Sequence, residues 1–188
     1  MTHLLLDVGY SELTDKQIAQ FGGVSTRAFH KQFSGKQECL LAVVDAFVDE
    51  TLDAMTAASA DARDWPEAAY LGVKAGVTHL VIHPGLTRIS LIDVFETGPT
   101  VGDYIGRSLR KLSNALAEGA PEPRRAPRIA HEAVAGALWA VVLNYAARRR
   151  LRYLQPLGGH LAFIVLAPYL GPKEAAQTIG RMSGGTAS

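Results

Sequence analysis

Four side chains have the types and spacing for specific chemistry: Thr26, Arg27, His30 and Lys31. Arg27 and Lys31 stand four residues apart, so on a helix both cations share one face. An arginine in that place can take guanine O6 and N7 in a bidentate bond, and a threonine can meet a thymine methyl. Thr14, Ser25 and Lys36 fall at or near expected helix N-termini, where backbone N–H groups and the helix dipole favour a phosphate. The chemistry these residues suggest is recognition of nucleic acid, with no covalent step.

Other groupings are weaker. His79 and His83 have the i,i+4 spacing that can place two imidazoles on one metal, but no glutamate lies between them as in a His-Glu-x-x-His motif and no third ligand is evident. No metal and no cofactor is therefore expected. Gly35-Lys36 fails the phosphate-loop pattern, which would need glycine at His30 and Ser or Thr at Gln37. No Gly-x-Ser-x-Gly elbow occurs. Cys39 reads as a packing residue, and Arg148, Arg149, Arg150 and Arg152 as complements to a helix C-terminus. No acid–base constellation points to an enzyme.

The elements that must position these residues are helical. Thr14-Asp-Lys-Gln17 forms a capping box opening a short helix to about Phe21, with Ile18 and Ala19 inward. Gly22-Gly23 stops it, and Ser25 caps a second helix through Phe33. Two short helices joined by a tight glycine turn are the helix-turn-helix, whose second helix enters the major groove. Ser34-Gly-Lys-Gln37 reads as a further capping box that opens a long helix, with Leu40, Val44, Phe47, Thr51 and Met55 as its buried stripe.

Beyond a linker at 61–65, Pro66 suits the first turn of a helix running to about His83. Leu86 to Phe95 is expected as a shorter helix. Val101, Ile105, Leu109, Leu112 and Leu116 mark the next one, up to Gly119. A Pro/Arg-rich loop spans Pro121 to Pro127. Long helices follow at Arg128–Arg150 and Leu157–Leu170, then a short amphipathic helix after Pro172, with Gly184 to Ser188 expected to be disordered. No strand pattern and no internal repeat stands out. The expected fold is all-α: a head at 1–45 and a helical-bundle domain at 46–188.

Composition bounds the class. The chain has 188 residues, 48% hydrophobic and 20% charged, the profile of an ordinary globular protein. The net charge is +1, so DNA contact cannot rest on bulk charge. Within Met1–Asp45, Lys16, Arg27, Lys31 and Lys36 face Asp7, Glu12, Asp15, Glu38 and Asp45, so the placement of the cations must decide. One cysteine excludes an internal disulfide and fits a reducing cytoplasm. The N-terminus lacks the basic region of a signal peptide. The longest apolar run, Ala133 to Leu143, is short of the ~20 residues of a membrane span, so no membrane is expected.

Residues 18–25 (Ile-Ala-Gln-Phe-Gly-Gly-Val-Ser), 29–33 (Phe-His-Lys-Gln-Phe) and 35–40 (Gly-Lys-Gln-Glu-Cys-Leu) together resemble the DNA-binding signature of the TetR family of transcriptional regulators. The resemblance covers about Val8 to Val44. It implies that His30 stands where the family places a phosphate-contacting tyrosine, Lys36 where it has a phosphate-contacting lysine, and Thr14 where a hydroxyl meets the DNA backbone. Cys39 replaces a leucine of the pattern. The family has a full first helix before the Gly-Tyr at 9–10, whereas only Met1 to Val8 precede it here. Either the true chain starts further upstream or the head is weakly braced.

The resemblance also implies a homodimer formed by the last two long helices, a four-helix bundle built with their copies. Ala133, Ala137, Ala140, Asn144 and Ala147 form a small-residue stripe that would admit a partner helix. Val134, Leu138, Val141 and Tyr145 form the neighbouring apolar stripe, and Leu161, Ile164, Val165 and Pro168 one on the following helix. A pocket for a small hydrophobic effector is expected among His79, His83, Leu91, Phe95, Tyr104 and Trp139. The resulting expectation is a ligand-responsive regulator of operator DNA, a repressor released by its effector. Two alternatives are a TetR-like binding protein without DNA affinity and an all-α enzyme.

Overall fold

The computed structural model describes residues 10–98, 100–120 and 128–184. The expected first helix at 1–8, the Pro/Arg loop and the tail beyond Gly184 lie outside these. The described residues are all-α: a helix-turn-helix head followed by a helical bundle, as the periodicity predicts. The helices are α1 (Asp15–Phe21), α2 (Thr26–Gln32), α3 (Lys36–Ser59), α4 (Trp65–Ile82), α5 (Pro84–Leu91), α6 (Val101–Gly119), α7 (Arg128–Ala147), α8 (Gly158–Leu170) and α9 (Pro172–Gly184). Short 3-10 turns at Asp93–Thr97 and Leu151–Leu157 link α5 to α6 and α7 to α8.

The head's boundaries follow local chemistry. Thr14 accepts from the Gln17 backbone N–H at 3.3 Å, while its own backbone N–H donates to Gln17 Oε1 at 2.9 Å, so both ends of the capping box are closed. Gly23 turns the chain at φ +67°, where a side chain would be strained. Ser25 Oγ accepts from the Ala28 N–H at 3.1 Å and starts α2. Phe29, Ile18, Ala19 and Cys39 then bury one another as the head's own core.

The cap of α3 differs from expectation by one residue. Gly35 is the N-cap, and Ser34 donates through N–H and Oγ to Glu38 at 2.7 and 2.8 Å. Gln37 instead reaches across to the Thr97 carbonyl and Thr100 Oγ1. The Glu38 carboxylate, a charged acceptor, takes the place of Gln37 at Ser34, while the Gln37 amide is committed to its tertiary bonds.

Proline sets the next corner. Asp64 caps α4 by accepting from the Glu67 N–H at 2.9 Å. Pro84 begins α5 rather than merely interrupting α4, because a first-turn residue has no N–H partner to lose. α5 therefore ends at Leu91, short of Phe95. Arg149 takes φ +55° and the Arg150 N–H returns to the Tyr145 carbonyl, which ends α7 before the arginine run.

The bundle core joins Tyr70, Val73 and Val77 of α4 to Val134, Leu138 and Val142 of α7 and to Leu161 and Val165 of α8. α3 packs tightly on α4: a Cβ at Gly72 would lie 3.0 Å from Ser59 Oγ and 3.3 Å from the Met55 carbonyl oxygen. A second cluster ties head to bundle, with Tyr10, Leu13, Leu40 and Val44 against Ile89, Val94 and Tyr104. Lys111 of α6 reinforces it by pairing with Asp45 and Asp49 of α3 at 3.0 and 2.6 Å.

By length and composition, one described helix, Ile129–Ala147, could cross a membrane. The apolar run read from sequence was cut at Asn144, and the helix continues past it. Val134, Ala135, Leu138, Val142 and Ala146 nevertheless carry one of its faces into the bundle core.

Candidate functional site: a recognition helix and an apolar cavity

The seven residues expected at a DNA interface divide by their partners. Thr26, Arg27 and Lys31 are exposed on α2, with no hydrogen-bond or ion-pair partner among the described residues. Ser25 serves the helix as an acceptor. The Thr14 hydroxyl donates to Gln17 Oε1 at 2.8 Å. His30 Nε2 lies 3.5 Å from Asp15 Oδ2.

Lys36 departs furthest from a free phosphate contact. Its ammonium donates to the carbonyls of Tyr10, Ser11 and Leu13 at 3.1, 3.2 and 2.8 Å and lies 4.7 Å from the Tyr10 ring centre. An ammonium has three protons, so all of them are engaged. Lys36 therefore braces the segment before α1 in this arrangement.

Three of the acidic residues that balance the head's charge, Asp15, Glu38 and Asp45, are turned to internal partners. Asp15 accepts from the Lys36 backbone N–H at 2.8 Å and stands beside His30, so one carboxylate ties α1, α2 and α3 together. Glu38 closes the cap at Ser34, where these hydrogen bonds hold its carboxyl below the usual range. Asp45 faces Lys111. α1 and α2 thus present the exposed Lys16, Arg27 and Lys31 outward, with Glu12 exposed just before α1.

A cavity of about 130 Å3 lies inside the bundle. Thr51, Leu52 and Met55 of α3 and Val73, Val77 and Leu80 of α4 form one side. Thr87, Ser90 and Leu91 of α5, Tyr104 and Ser108 of α6, and Leu138 and Trp139 of α7 line the rest of it, and it is partly open to solvent. Leu91, Tyr104 and Trp139 are on the wall as expected from the sequence. His79, His83 and Phe95 are not. His79 lies on the flank of the α4 stripe, its ring 5.2 Å from that of Phe47, while His83 is past the helix end and Phe95 is 47% exposed.

Sequence reasoning missed Thr87, Ser90 and Ser108, because small hydroxyl residues within an apolar pattern read as helix surface. The stripe of α3 was the available signal. Thr51 and Met55 continue the spacing of Leu40, Val44 and Phe47 but face the cavity.

Polar groups on the wall are few. Thr87 Oγ1 donates to the Leu80 carbonyl at 2.7 Å, and Ser108 Oγ to the Tyr104 carbonyl at 3.0 Å. Tyr104 is fully buried; its hydroxyl points to the Ser90 carbonyl at 3.4 Å, and burial pushes its pKa up to about 12. Ser90 Oγ is buried near the Tyr104 hydroxyl with no well-formed hydrogen bond among the described residues. His79 is held below the ordinary imidazole range by burial and by His83, and its Nε2 is also buried without a partner. Among the described residues, no three potential metal ligands come together.

The expected dimer residues also divide. Val134, Leu138, Leu161 and Val165 are buried within one chain, at 4%, 8%, 3% and 0% exposure, so they are corrected to core. Both helices turn one apolar stripe inward, and the two stripes were not separable by spacing alone. Ala137, Val141, Tyr145 and Ile164 are half-buried and Pro168 is exposed. Ala133, Ala140, Asn144 and Ala147 are exposed along one side of α7.

No protein-family model matches this chain, and no curated protein matches it. A solved structure, a structural analysis of the fatty acid degradation regulator FadR from Bacillus halodurans, is similar with a TM-score of 0.68 at 18% identity. The similarity covers 88% of this chain and 90% of the other, so it extends through both head and bundle. At that identity it is the helical fold that the two chains share.

Proposed function

We propose that this chain is a TetR-family regulator that binds operator DNA as a homodimer and is released by a small hydrophobic effector. The observation that carries the reading is the placement of charge in the head: Asp15, Glu38 and Asp45 face internal partners, while Arg27 and Lys31 are exposed on the second helix of a helix-turn-helix with no partner among the described residues. The functional division keeps the head at 1–45 and the effector and dimer domain at 46–188, with the protein working in the cytoplasm.

Arg27 reads base edges with Thr26, while Lys31, Ser25 and His30 meet phosphates. Lys36 and Thr14 act through the backbone they brace. The partner chain docks on Ala133, Ala137, Ala140 and Asn144 of α7 and on Ile164 and Pro168 of α8, with Val141 and Tyr145 at the margin. A repressor's release needs an effector that binds its two head spacings unequally. Tyr104 supports such coupling, since it walls the cavity and also packs in the cluster with Leu13, Leu40 and Val44.

The solved neighbour is a fatty acid degradation regulator, which favours a regulatory role here. A fatty-acid effector is less favoured, since among the described residues no cation lines the cavity to receive a carboxylate. The test is selection of bound fragments from sheared genomic DNA, followed by sedimentation at micromolar concentration. The expected result is a dimer on a two-fold symmetric site whose half-sites lie about one DNA turn (~34–36 Å) or more apart. A monomer, or no enriched fragment, would sink the reading.

A further inference from the structure

The effector cavity has one buried polar atom left unanswered, and that atom defines what fits. Ser90 is 4% exposed and lines the cavity beside the Tyr104 hydroxyl, and its Oγ makes no well-formed hydrogen bond among the described residues. A helical serine ordinarily returns its hydroxyl to a carbonyl one turn back. Of the other wall hydroxyls, those of Thr51, Thr87 and Ser108 already donate to carbonyls, and that of Tyr104 points to the Ser90 carbonyl at 3.4 Å. A buried polar atom without a partner is unfavourable, so an occupant that completes it gains relative to one that does not.

The rest of the wall sets size and charge. The volume of about 130 Å3 is close to the roughly 150 Å3 of an engineered apolar cavity that stays dry and binds benzene. Phe47, Tyr104 and Trp139 present rings to the space, which suits edge-to-face or offset contact with another ring. Among the described residues, no Lys, Arg, His, Asp or Glu lies on the wall. A carboxylate or an ammonium would enter with no countercharge, which a low-dielectric site strongly disfavours.

We propose that the cavity is a site for an uncharged single-ring aromatic carrying one hydrogen-bonding oxygen, a simple phenol, with that oxygen held by Ser90 Oγ. This rests on the effector reading of the cavity and narrows it to one chemical class. The hydroxyl of Ser90 can accept from a phenol proton or donate to its oxygen, so one contact satisfies both groups.

The test follows Trp139 fluorescence in a Trp65→Phe background, because Trp139 is on the wall and Trp65 packs 4.8 Å from Tyr169 outside the cavity. Three ligands of one shape are titrated at neutral pH: p-cresol, toluene and p-toluate. The expected order is p-cresol tightest, toluene weaker by about tenfold, and p-toluate without response. Ser90→Ala should bring p-cresol to the level of toluene. Unchanged toluene binding in that variant confirms that the cavity is intact.

Binding of p-toluate as tight as that of p-cresol would overturn the proposal. So would a Ser90→Ala protein that still prefers p-cresol over toluene, or no response to either neutral ring at millimolar concentration. Operator affinity is measured in parallel. Binding of p-cresol with no change in DNA affinity would uphold this site and refute the release mechanism instead.

Discussion

The head and the bundle treat their polar side chains in opposite ways. In the head, Thr14, Ser25, Glu38, Asp15 and Lys36 each complete a backbone group left open at a helix end or in the turn before α1. In the bundle, the buried atoms His79 Nε2, Ser90 Oγ, His131 Nε2 and Tyr169 Oη make no well-formed hydrogen bond among the described residues. A fully satisfied network rigidifies, whereas an unsatisfied buried group marks a place where something else can bind or move. The head is built as a rigid element, and the bundle keeps a cavity with open chemistry.

The largest effect that would sharpen this contrast comes from the head's small core. Phe29 is 4% exposed against Ile18, Ala19 and Cys39, so Phe29→Ala should cost about 3 kcal/mol in chemical denaturation. The cavity's response to p-cresol should survive it. If both were lost together, head and bundle would be one cooperative unit and the contrast would fail.

Next is Lys36. Lys36→Met leaves three carbonyls without their donor and should cost about 2 kcal/mol, read as a shifted denaturation midpoint. If this residue worked only as a phosphate contact, stability would not change and DNA affinity alone would fall.

A smaller effect belongs to the bundle. Gly72→Ala gains helix propensity, but its Cβ would meet the Met55 carbonyl oxygen at 3.3 Å on a neighbouring helix that can yield only as a whole. A net loss of about 1 kcal/mol in thermal or chemical unfolding is expected.

The mildest effect is on pH dependence. The pKa of His79 is depressed in the fold, so the unfolded chain binds the proton more readily. The stability it contributes is complete above the unfolded value of about 6.5 and is lost as pH falls through the depressed folded value. Tm should drop as pH falls below about 6.5, and His79→Phe should flatten the drop.

Legibility in the sequence follows the same divide. The head was readable because its determinants are local: Thr14 with Gln17, Gly22-Gly23, and Ser25 with Ala28 all act within a few residues. Its one misread cap, Ser34 with Gln37 rather than Glu38, was decided by a long-range bond to Thr97 and Thr100. The helices of the bundle were also readable, but not which faces meet. Leu138 and Val165 look identical in pattern to an outward apolar stripe until α4 and α8 are placed beside them. The cavity was the least legible part, since a void is set by six helices at once and Ser90 has no neighbour in sequence that announces it.

The central claim is that α2 reads DNA with Arg27 and Lys31. Its most direct test is fluorescence anisotropy of a selected genomic fragment at increasing salt, for the native chain, Arg27→Ala and Lys31→Ala. The account predicts affinity that falls steeply with salt, a loss of about 10- to 100-fold in Arg27→Ala with relaxed sequence preference, and a shallower salt slope in Lys31→Ala. Salt-insensitive binding, or an affinity unmoved by both substitutions, would contradict it.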